Sequence, residues 1–285
     1  MDPAEITAIV NVGDDVELHG LHISPDLDTV MYTVAGAIDP DRGWGLAGET
    51  WHAMEALARY PMARTWFNLG DRDLATHLYR TDRLRSGATL SAVSQEMADA
   101  WGLGLRLLPA TDDRLQTRVT VEDAGEIGFQ EYFVQRHHDV EVRALRFDGA
   151  NAARPAPGVV EAIETATRVV IAPSNPLVSI DPILAVPGVR RAVETRRADG
   201  VAVSPIVAGA ALKGPADRLL RELGHEASVV GIARLYAPLV ATLVIDEADA
   251  GQAAAVEAEG VRCVVAPTIM RGPQQARALA EVVLA

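Results

Sequence analysis

The chain has 285 residues, of which 49% are hydrophobic, enough for a large buried core. Its 39 acidic and 26 basic residues give a net charge of −13, which repels nucleic-acid backbones and anionic membrane surfaces. The single cysteine, Cys263, can form no internal disulfide, and no stretch approaches the roughly 20 apolar residues of a membrane span. These totals predict a cytoplasmic protein that binds neither nucleic acid nor membrane.

Near the N-terminus an apolar run, "ITAIV", predicts a buried strand. Asp14 and Asp15 follow it in "NVGDD", where side chains beyond a strand's carboxyl end reach the ligand crevice of an α/β sheet. Converging carboxylates suit a hard cation such as Mg²⁺. The ordinary alternative, a turn after Gly13, stays open.

Two further carboxylates stand in "PDLDT". Asp26 and Asp28 follow Pro25 at a spacing of two, which in an extended chain points both side chains to the same side. They are therefore candidates for the same cation. Asp28 could equally be the N-cap of a helix that begins at "TVMYTVAG".

Residues 49–135 predict a mainly helical insert. Apolar residues recur at three- and four-residue spacing in "ETWHAMEALARY", "DRDLATHLYRTDRLRS" and "LSAVSQEMADAWG", and "QTRVTV" predicts a strand. In the second helix Arg72, Thr76 and Arg80 fall near one face at four-residue spacing, after a plausible N-cap at Asp71. A solvated helix face with ordinary ion pairs is the alternative that composition favours.

From about residue 140 onward, short β-branched runs alternate with helical patterns. Strands are predicted at "VEVRALRF", "RVVIAP", "VAVSPIV", "ATLVIDEAD" and "VRCVVAPT", with helices between them and at the C-terminus. This alternation is typical of a parallel sheet with helices on its faces. No G-x-S-x-G nucleophile elbow occurs in the sequence, and no zinc motif stands out.

Two loops of this half carry candidate ligand groups. Ser174 and Asn175, in "APSNPLVSIDP" after a strand, could hold a nucleotide or phosphate with free backbone amides, or form a plain turn. Lys213, in "LKGPADR" before a helix that would start at Pro215, could form a local anion site. A lone lysine there is more often only solvated.

Five segments together resemble the 2-phospho-L-lactate transferase family, which makes the deazaflavin coenzyme F-420. They are "NVGDDVELHGLHISPDLDTVMYTVAGAIDPDRGWG", "LGDRDLATHLYRTDRLRSGATLS", "LLPATDDRLQT", "APSNPLVSIDPIL" and "AVSPIVAGAALKGPADRL". The resemblance covers nearly the whole chain in order. The fold is shared with sugar-nucleotide-binding regulators, but "PDLDT" and "GDRDLATH" resemble the transferase branch.

The resemblance implies an α/β, Rossmann-like, mostly parallel sheet with helices on both faces and a helical insert. We expect the core at residues 1–48 and 136–285, the insert at 49–135, and a homodimer. The implied reaction moves a 2-phospholactyl or phosphoenolpyruvyl group from a guanylyl diphosphate ester to the terminal ribityl hydroxyl of Fo, a deazaflavin, with release of GMP. Mg²⁺ is the implied cofactor.

The resemblance also assigns residues. Asp14 is the first metal ligand and Asp28 the second, with Asp15 beside them, and Asp14 and Asp28 are the catalytic pair. Asp28 also reaches the Fo hydroxyls, Arg72 contacts the deazaflavin, and Thr76 lies on the same substrate-binding face. Ser174 and Asn175 are expected on the guanosine side of the donor, and Lys213 near its phosphate. No obligate general base is assigned, although an aspartate touching the ribityl hydroxyl could serve.

Family members begin with a strand and a glycine-rich loop, "GG-x-G" in character, where this sequence has Met1-Asp2-Pro3. Either the true start lies upstream, or the donor site has lost part of its phosphate-binding backbone. Two other functions therefore stay open, an inactive Fo-binding homologue and a regulator that binds a nucleotide or UDP-sugar. The Ala-, Arg- and Gly-rich composition fits a GC-rich actinobacterial source, for which the enolpyruvyl donor is favoured.

Overall fold

The computed structural model describes residues 2–285, which form two compact units. The first unit contains the residues up to Val140 together with Leu145–Val159, and the second contains Glu141–Ala144 together with Val160–Ala285. The predicted division into a core at 1–48 and 136–285 and an insert at 49–135 stays a prediction. No helix within residues 2–285 is long and apolar enough to cross a membrane.

In its described residues, the first unit joins four α-helices to short strands. Strand β1 pairs parallel with β4, β2 pairs antiparallel with β3, and a third sheet has the order β6-β5-β7. The three helices predicted in the insert and the strand at "QTRVTV" are confirmed. The elements are β1 (Thr7–Val10), β2 (Val16–Leu18), β3 (Leu21–Ile23), α1 (Pro25–Val34), α2 (His52–Leu57), α3 (Asp73–Arg85), α4 (Leu90–Ala100), β4 (Arg106–Pro109), β5 (Gln116–Val121), β6 (Gly125–Gly128) and β7 (Val142–Asp148), of which residues 145–148 lie in this unit.

The hairpin of β2 and β3 was not predicted from the sequence. Its two-residue turn, His19-Gly20, has φ of 53° and 74°, the left-handed backbone that a tight hairpin turn requires. Leu18 and Ile23 alternate with charged neighbours and are fully buried, so a period of two was present in the sequence. The dense ionisable groups around it concealed that period.

The second unit is built on a four-stranded parallel sheet in the order β13-β12-β9-β8. This confirms the parallel sheet predicted from the alternation of strands and helices. Its elements are α5 (Val159–Thr165, whose first residue lies in the first unit), β8 (Val169–Ile171), α6 (Asp181–Leu184), α7 (Val189–Thr195), β9 (Gly200–Val203), β10 (Ile206–Val207), β11 (Ala210–Ala211), α8 (Ala216–Glu222), α9 (Val229–Tyr236), β12 (Thr242–Ile245), α10 (Ala253–Ala258), β13 (Arg262–Val265) and α11 (Pro273–Leu284).

Two sequence interpretations of this half were wrong. The strand at "VEVRALRF", β7, pairs in the sheet of β5 and β6 rather than in the parallel sheet. Periodicity detects a strand but does not specify its partner, so the alternation alone could not exclude it. Helix α9 was missed, although Ser228 caps it through a 3.1 Å bond from the Gly231 amide.

Helices α2 and α3 exchange capping carboxylates. Glu49, just before α2, accepts hydrogen bonds of 2.8 Å from the backbone amides of Arg72 and Asp73 at the start of α3. Asp71, just before α3, accepts bonds of 3.0 Å from the amides of His52 and Ala53 at the start of α2. Asp71 is thus a cap, as predicted, but of the other helix. Each carboxylate satisfies amides that a helix start leaves unbonded.

We expect Glu49→Ala to lower the free energy of unfolding by about 1 kcal/mol, because two amides at the start of α3 lose their acceptor. Chemical denaturation would measure the change. Glu55→Ala is the matched control, since its contact with His52 joins side chains that are 73% and 80% exposed, and we expect it to be near neutral. Equal losses in the two variants would contradict the capping role.

Candidate active site

The loop after β1 is held by hydrogen bonds from several segments. The side-chain oxygen Oδ1 of Asn11 accepts from the Gly13 amide at 2.7 Å, and the Asp15 amide donates to the Val12 backbone carbonyl at 3.2 Å. The Gln130 side-chain amide donates to the Asp14 carbonyl at 2.9 Å. The turn expected after Gly13 is therefore present. It is fixed tightly enough to position the two aspartates.

Asp14 carries a buried carboxylate with an unused oxygen. Asp14 is 6% exposed, and the Oδ1 atom of its carboxylate has no hydrogen-bond partner within residues 2–285. Burial, reinforced by the charge of Asp26, raises the pKa of Asp14 well above the ordinary value of 3.8. A buried acceptor without a donor is costly, so this oxygen favours a cation or a proton.

Asp26 is the neighbour that brings a second negative charge to Asp14. The Asn11 side-chain amide donates to its Oδ2 at 2.9 Å. Burial raises the pKa of Asp26 to about 6, although the Asn11 bond opposes the shift. Asp26 was predicted, together with Asp28, as a candidate cation ligand, but it was not among the assigned metal ligands, and the charge that it brings beside Asp14 is seen only in the structure.

The prediction that Asp26 and Asp28 point to the same side was wrong. Both lie in the first turn of α1, which begins at Pro25. In an α-helix, residues two positions apart in the sequence point about 200° apart around the axis. Asp26 therefore faces Asn11, whereas Asp28 faces α3. Asp28 is also not the N-cap, because that position belongs to Ser24.

Asp15 is held by two neighbours from β3 and the residue after it. The Ser24 hydroxyl donates to its Oδ2 at 2.7 Å, and His22 Nε2 lies 2.9 Å from the same oxygen. Its other oxygen, Oδ1, is buried and lacks a hydrogen-bond partner in the described part of the chain. Asp14 and Asp15 thus each keep one unused buried oxygen. Oxygen donors of this kind fit Mg²⁺.

Asp28 belongs to a second, separately organised group. Arg80 contacts both of its carboxylate oxygens, with Nη1 at 3.2 Å from Oδ2 and Nη2 against Oδ1. Burial alone would lower the pKa of Arg80, but the charge and hydrogen bonds of Asp28 raise it. Ligand atoms of Asp28, Asp73 and His77 lie within 4.8 Å of one another. These three residues could hold a metal ion only if Asp28 gave up its contact with Arg80 and bound the ion instead.

The inner face of α3 is buried, contrary to the solvated face that composition favoured. Thr76, 8% exposed, lies with its Oγ1 2.6 Å from the Tyr32 hydroxyl, which is also 2.6 Å from Asp73 Oδ1. His77 Nε2 lies 3.3 Å from Asp73 Oδ2. Burial raises the pKa of Asp73, but its contacts with His77 and Tyr32 outweigh that effect, so the pKa lies below its ordinary value. The face is an internal polar network that joins α3 to α1.

Arg72 is exposed at the start of α3, outside that network. Its Nη1 donates to the Ala47 carbonyl at 2.6 Å, which fixes the side chain on the loop before α2. The guanidinium keeps its other donors available for a ligand. Arg72 and Thr76 therefore share a helix but differ in surroundings, since Thr76 is buried.

In the second unit, Ser174 and Asn175 follow β8 at the carboxyl end of the parallel sheet. Asn175 Oδ1 accepts from the Leu177 amide at 3.0 Å, which makes a capped turn, and both residues are half-buried. Lys213 is exposed in the turn before α8, where Pro215 occupies the cap position instead of the predicted first helical position.

Asp246, which follows β12, was not predicted as a site residue. Its carboxylate accepts hydrogen bonds from the Thr268 amide and hydroxyl at 2.8 and 3.0 Å.

Comparison with known proteins defines the class. The family described as 2-phospho-L-lactate transferase CofD matches residues 2–271. A solved member of the UPF0052 family from Bacillus halodurans has a TM-score of 0.61 at 15% identity, and the match covers 99% of this chain and 93% of that one. At that identity the likeness shows the fold alone.

The chain belongs to the 2-phospho-L-lactate transferase CofD family. A phosphoenolpyruvate transferase of Nocardia farcinica is 49% identical over 276 residues, with 95% of this chain and 83% of that protein covered. A phosphoenolpyruvate transferase of Streptomyces griseus is 47% identical over 281 residues, with 97% and 88% covered. The α/β fold class and the family predicted from the sequence are confirmed.

Ionisation of Asp26 should destabilise the metal-free chain. The folded state holds its proton up to about pH 6, whereas the unfolded chain releases it near pH 4. The stabilising effect of the protonated form is therefore complete below pH 4 and lost as pH rises to about 6.

We expect Asp26→Asn to gain about 2 kcal/mol relative to the wild type between pH 4 and pH 7. Denaturation in EDTA across that range would measure the gain. Asp41→Asn, at an exposed carboxylate, is the matched control and should follow the wild-type profile. A constant difference between Asp26→Asn and the wild type at every pH would refute the linkage.

Proposed function

We propose that this chain transfers a phosphoenolpyruvyl group, or its 2-phospholactyl counterpart, from a guanylyl diphosphate ester to Fo. The observation that carries the proposal is the family match over residues 2–271. The names of the Nocardia and Streptomyces relatives favour the enolpyruvyl donor. The product would be the phosphodiester dehydro form of coenzyme F-420-0.

In the proposed reaction, the terminal ribityl hydroxyl oxygen of Fo forms a bond to the phosphorus next to the three-carbon acid. The bond from that phosphorus to the oxygen bridging to GMP breaks, GMP leaves with the electron pair, and the hydroxyl gives up its proton. Phosphoryl transfer of this kind depends mainly on positioning and on control of charge. The chain must therefore hold two substrates in line and counter the negative charge of the diphosphate.

Mg²⁺ fits the carboxylates beside β1. Asp14 and Asp15 would offer the buried oxygens that lack hydrogen-bond partners within residues 2–285, and Asp26 would add charge beside Asp14. A bound Mg²⁺ would neutralise the diphosphate and orient its oxygens. Asp14 remains the first proposed ligand, as in the sequence analysis.

Asp28 keeps a proposed role toward the acceptor. Burial raises the pKa of Asp28, and the Arg80 guanidinium at both of its carboxylate oxygens opposes that shift. This carboxylate would accept a hydrogen bond from the ribityl hydroxyl. Its role as the second metal ligand stays a prediction. Arg72, exposed and fixed by Ala47, would contact the deazaflavin, and Thr76 would support this region from the buried face of α3.

The guanosine part of the donor is proposed to lie at the carboxyl end of the parallel sheet. Ser174 and Asn175 stand there in a capped turn, and the crevice beyond strand ends is the usual ligand position in such sheets. Lys213 would contact phosphate. The homodimer and the cytoplasmic location also stay predictions.

We expect Asp14→Asn to lower kcat at least 100-fold with the fold intact, because the neutral amide binds Mg²⁺ weakly and the negative charge of the diphosphate is then left without its cation. Product mass and deazaflavin fluorescence would follow turnover. Asp41→Asn should keep wild-type kcat. Wild-type activity of Asp14→Asn at limiting Mg²⁺ would overturn the metal assignment.

We expect Arg72→Ala and Lys213→Ala to separate the two substrates. Loss of the Arg72 guanidinium should raise KM for Fo about tenfold, and loss of the Lys213 ammonium should raise KM for the guanylyl donor by a similar factor. Steady-state kinetics with each substrate varied in turn would measure both. The assignments fail if each variant changes both KM values equally.

Turnover of Fo by the wild-type chain tests the function itself. Conversion with release of GMP is the expected result. Binding of Fo without conversion would favour an inactive homologue. Binding of a UDP-sugar with no affinity for Fo would favour a regulator.

A further inference from the structure

The loop between α1 and α2 presents two tryptophans and an arginine as one surface. The ring centroids of Trp44 and Trp51 are 6.1 Å apart, with their planes inclined at 56°. The Arg42 guanidinium carbon lies 5.4 Å from both centroids. Together these three side chains form an aromatic platform. Trp44 is 43% exposed, so part of a large apolar ring is in contact with solvent.

The platform is rigid. Arg42 Nη2 donates to the Leu46 carbonyl at 2.9 Å and lies 2.9 Å from Asp39 Oδ2. Backbone bonds close the loop from Asp39 to Gly45 at 3.0 Å and from Ala47 to Ala37 at 2.9 Å. Leu46, 2% exposed, anchors the loop in the core. Aromatic rings fixed in this way lose little conformational entropy when a ligand stacks on one of them.

The platform lies on the same loop that holds Arg72. The Ala47 carbonyl that accepts from Arg72 Nη1 at 2.6 Å is three residues after Trp44. Glu49, two residues before Trp51, bonds the amides of Arg72 and Asp73. A ligand that touched the exposed guanidinium of Arg72 would therefore meet residues of this loop. A substrate contact was predicted for Arg72 but not for Trp44 or Trp51.

From this arrangement we infer that the aromatic platform stacks a planar, electron-poor fused ring. This inference rests on the proposed function, which makes the ligand the tricyclic deazaflavin of Fo. An indole that is packed on a cation and still partly exposed can place its face against such a ring. Arg72 would then add a donor for the polar edge of the ring. The net charge of −13 disfavours nucleic-acid bases on a phosphate backbone as the alternative.

Direct binding of Fo to the full chain, without donor or Mg²⁺, tests the inference. Fluorescence anisotropy of Fo would give Kd for the wild type, Trp44→Ala, Trp51→Ala and Trp44→Phe. We expect the two alanine variants to weaken binding about tenfold, the range found for loss of a stacking aromatic ring. Trp44→Phe, which keeps a flat face, should stay within about threefold of wild type.

Tyr60→Ala is the matched control, because Tyr60 is 67% exposed and lies outside the platform. It should leave Kd unchanged. Thermal melts confirm that each variant is folded, and Trp44→Phe keeps the test valid if an alanine variant is not. An unchanged Kd for both alanine variants overturns the platform while leaving the proposed transferase intact. Failure of the wild-type chain to bind Fo overturns the proposed acceptor and the platform with it.

Discussion

The burial of aspartate oxygens beside β1 is the constraint that organises the first unit. Oxygens of Asp14 and Asp15 are enclosed without a hydrogen-bond donor from residues 2–285. Removing them from water would be unfavourable in an ordinary loop. Here Asn11 links the loop to Asp26, and Gln130 binds the Asp14 backbone. Segments far apart in the chain are thus joined around one cluster of carboxylates. The stability of this part of the fold therefore depends on the proton or cation that neutralises their charge.

Local patterns predicted most of the elements but not all of their partners. The alternation of "RVVIAP", "VAVSPIV", "ATLVIDEAD" and "VRCVVAPT" with helices indicated the parallel sheet of β8, β9, β12 and β13, because both faces of such strands are covered and the runs are continuously apolar. The same reasoning could not place β7, since its sequence does not specify which strand accepts its hydrogen bonds. Strand pairing is decided by contacts distant in sequence.

The candidate site shows how a wrong local conformation changes a chemical interpretation. Asp14 and Asp15 were found from their position after a strand, and the structure places both at that strand end. Asp26 was grouped with Asp28 because the segment was treated as extended. Pro25 instead begins α1, and a helical spacing of two separates the carboxylates. Pro25 at a first helical position was the signal that could have corrected this. The burial of Arg80 had no local signal, since it depends on Asp28 from α1.

The exchange of carboxylates between α2 and α3 has a consequence for local motion. Opening of either helix start removes the acceptor of the other, because Glu49 lies before one helix and Asp71 before the other. The two ends and the intervening turns therefore form one cooperative unit, whose amides should exchange with solvent together rather than fray separately. Gly70 leaves room for this contact, since a Cβ there would lie 2.2 Å from the Glu49 carboxyl carbon. A substitution at Glu49 would therefore act on the start of α3, and one at Asp71 on the start of α2, rather than on the helix that each residue precedes.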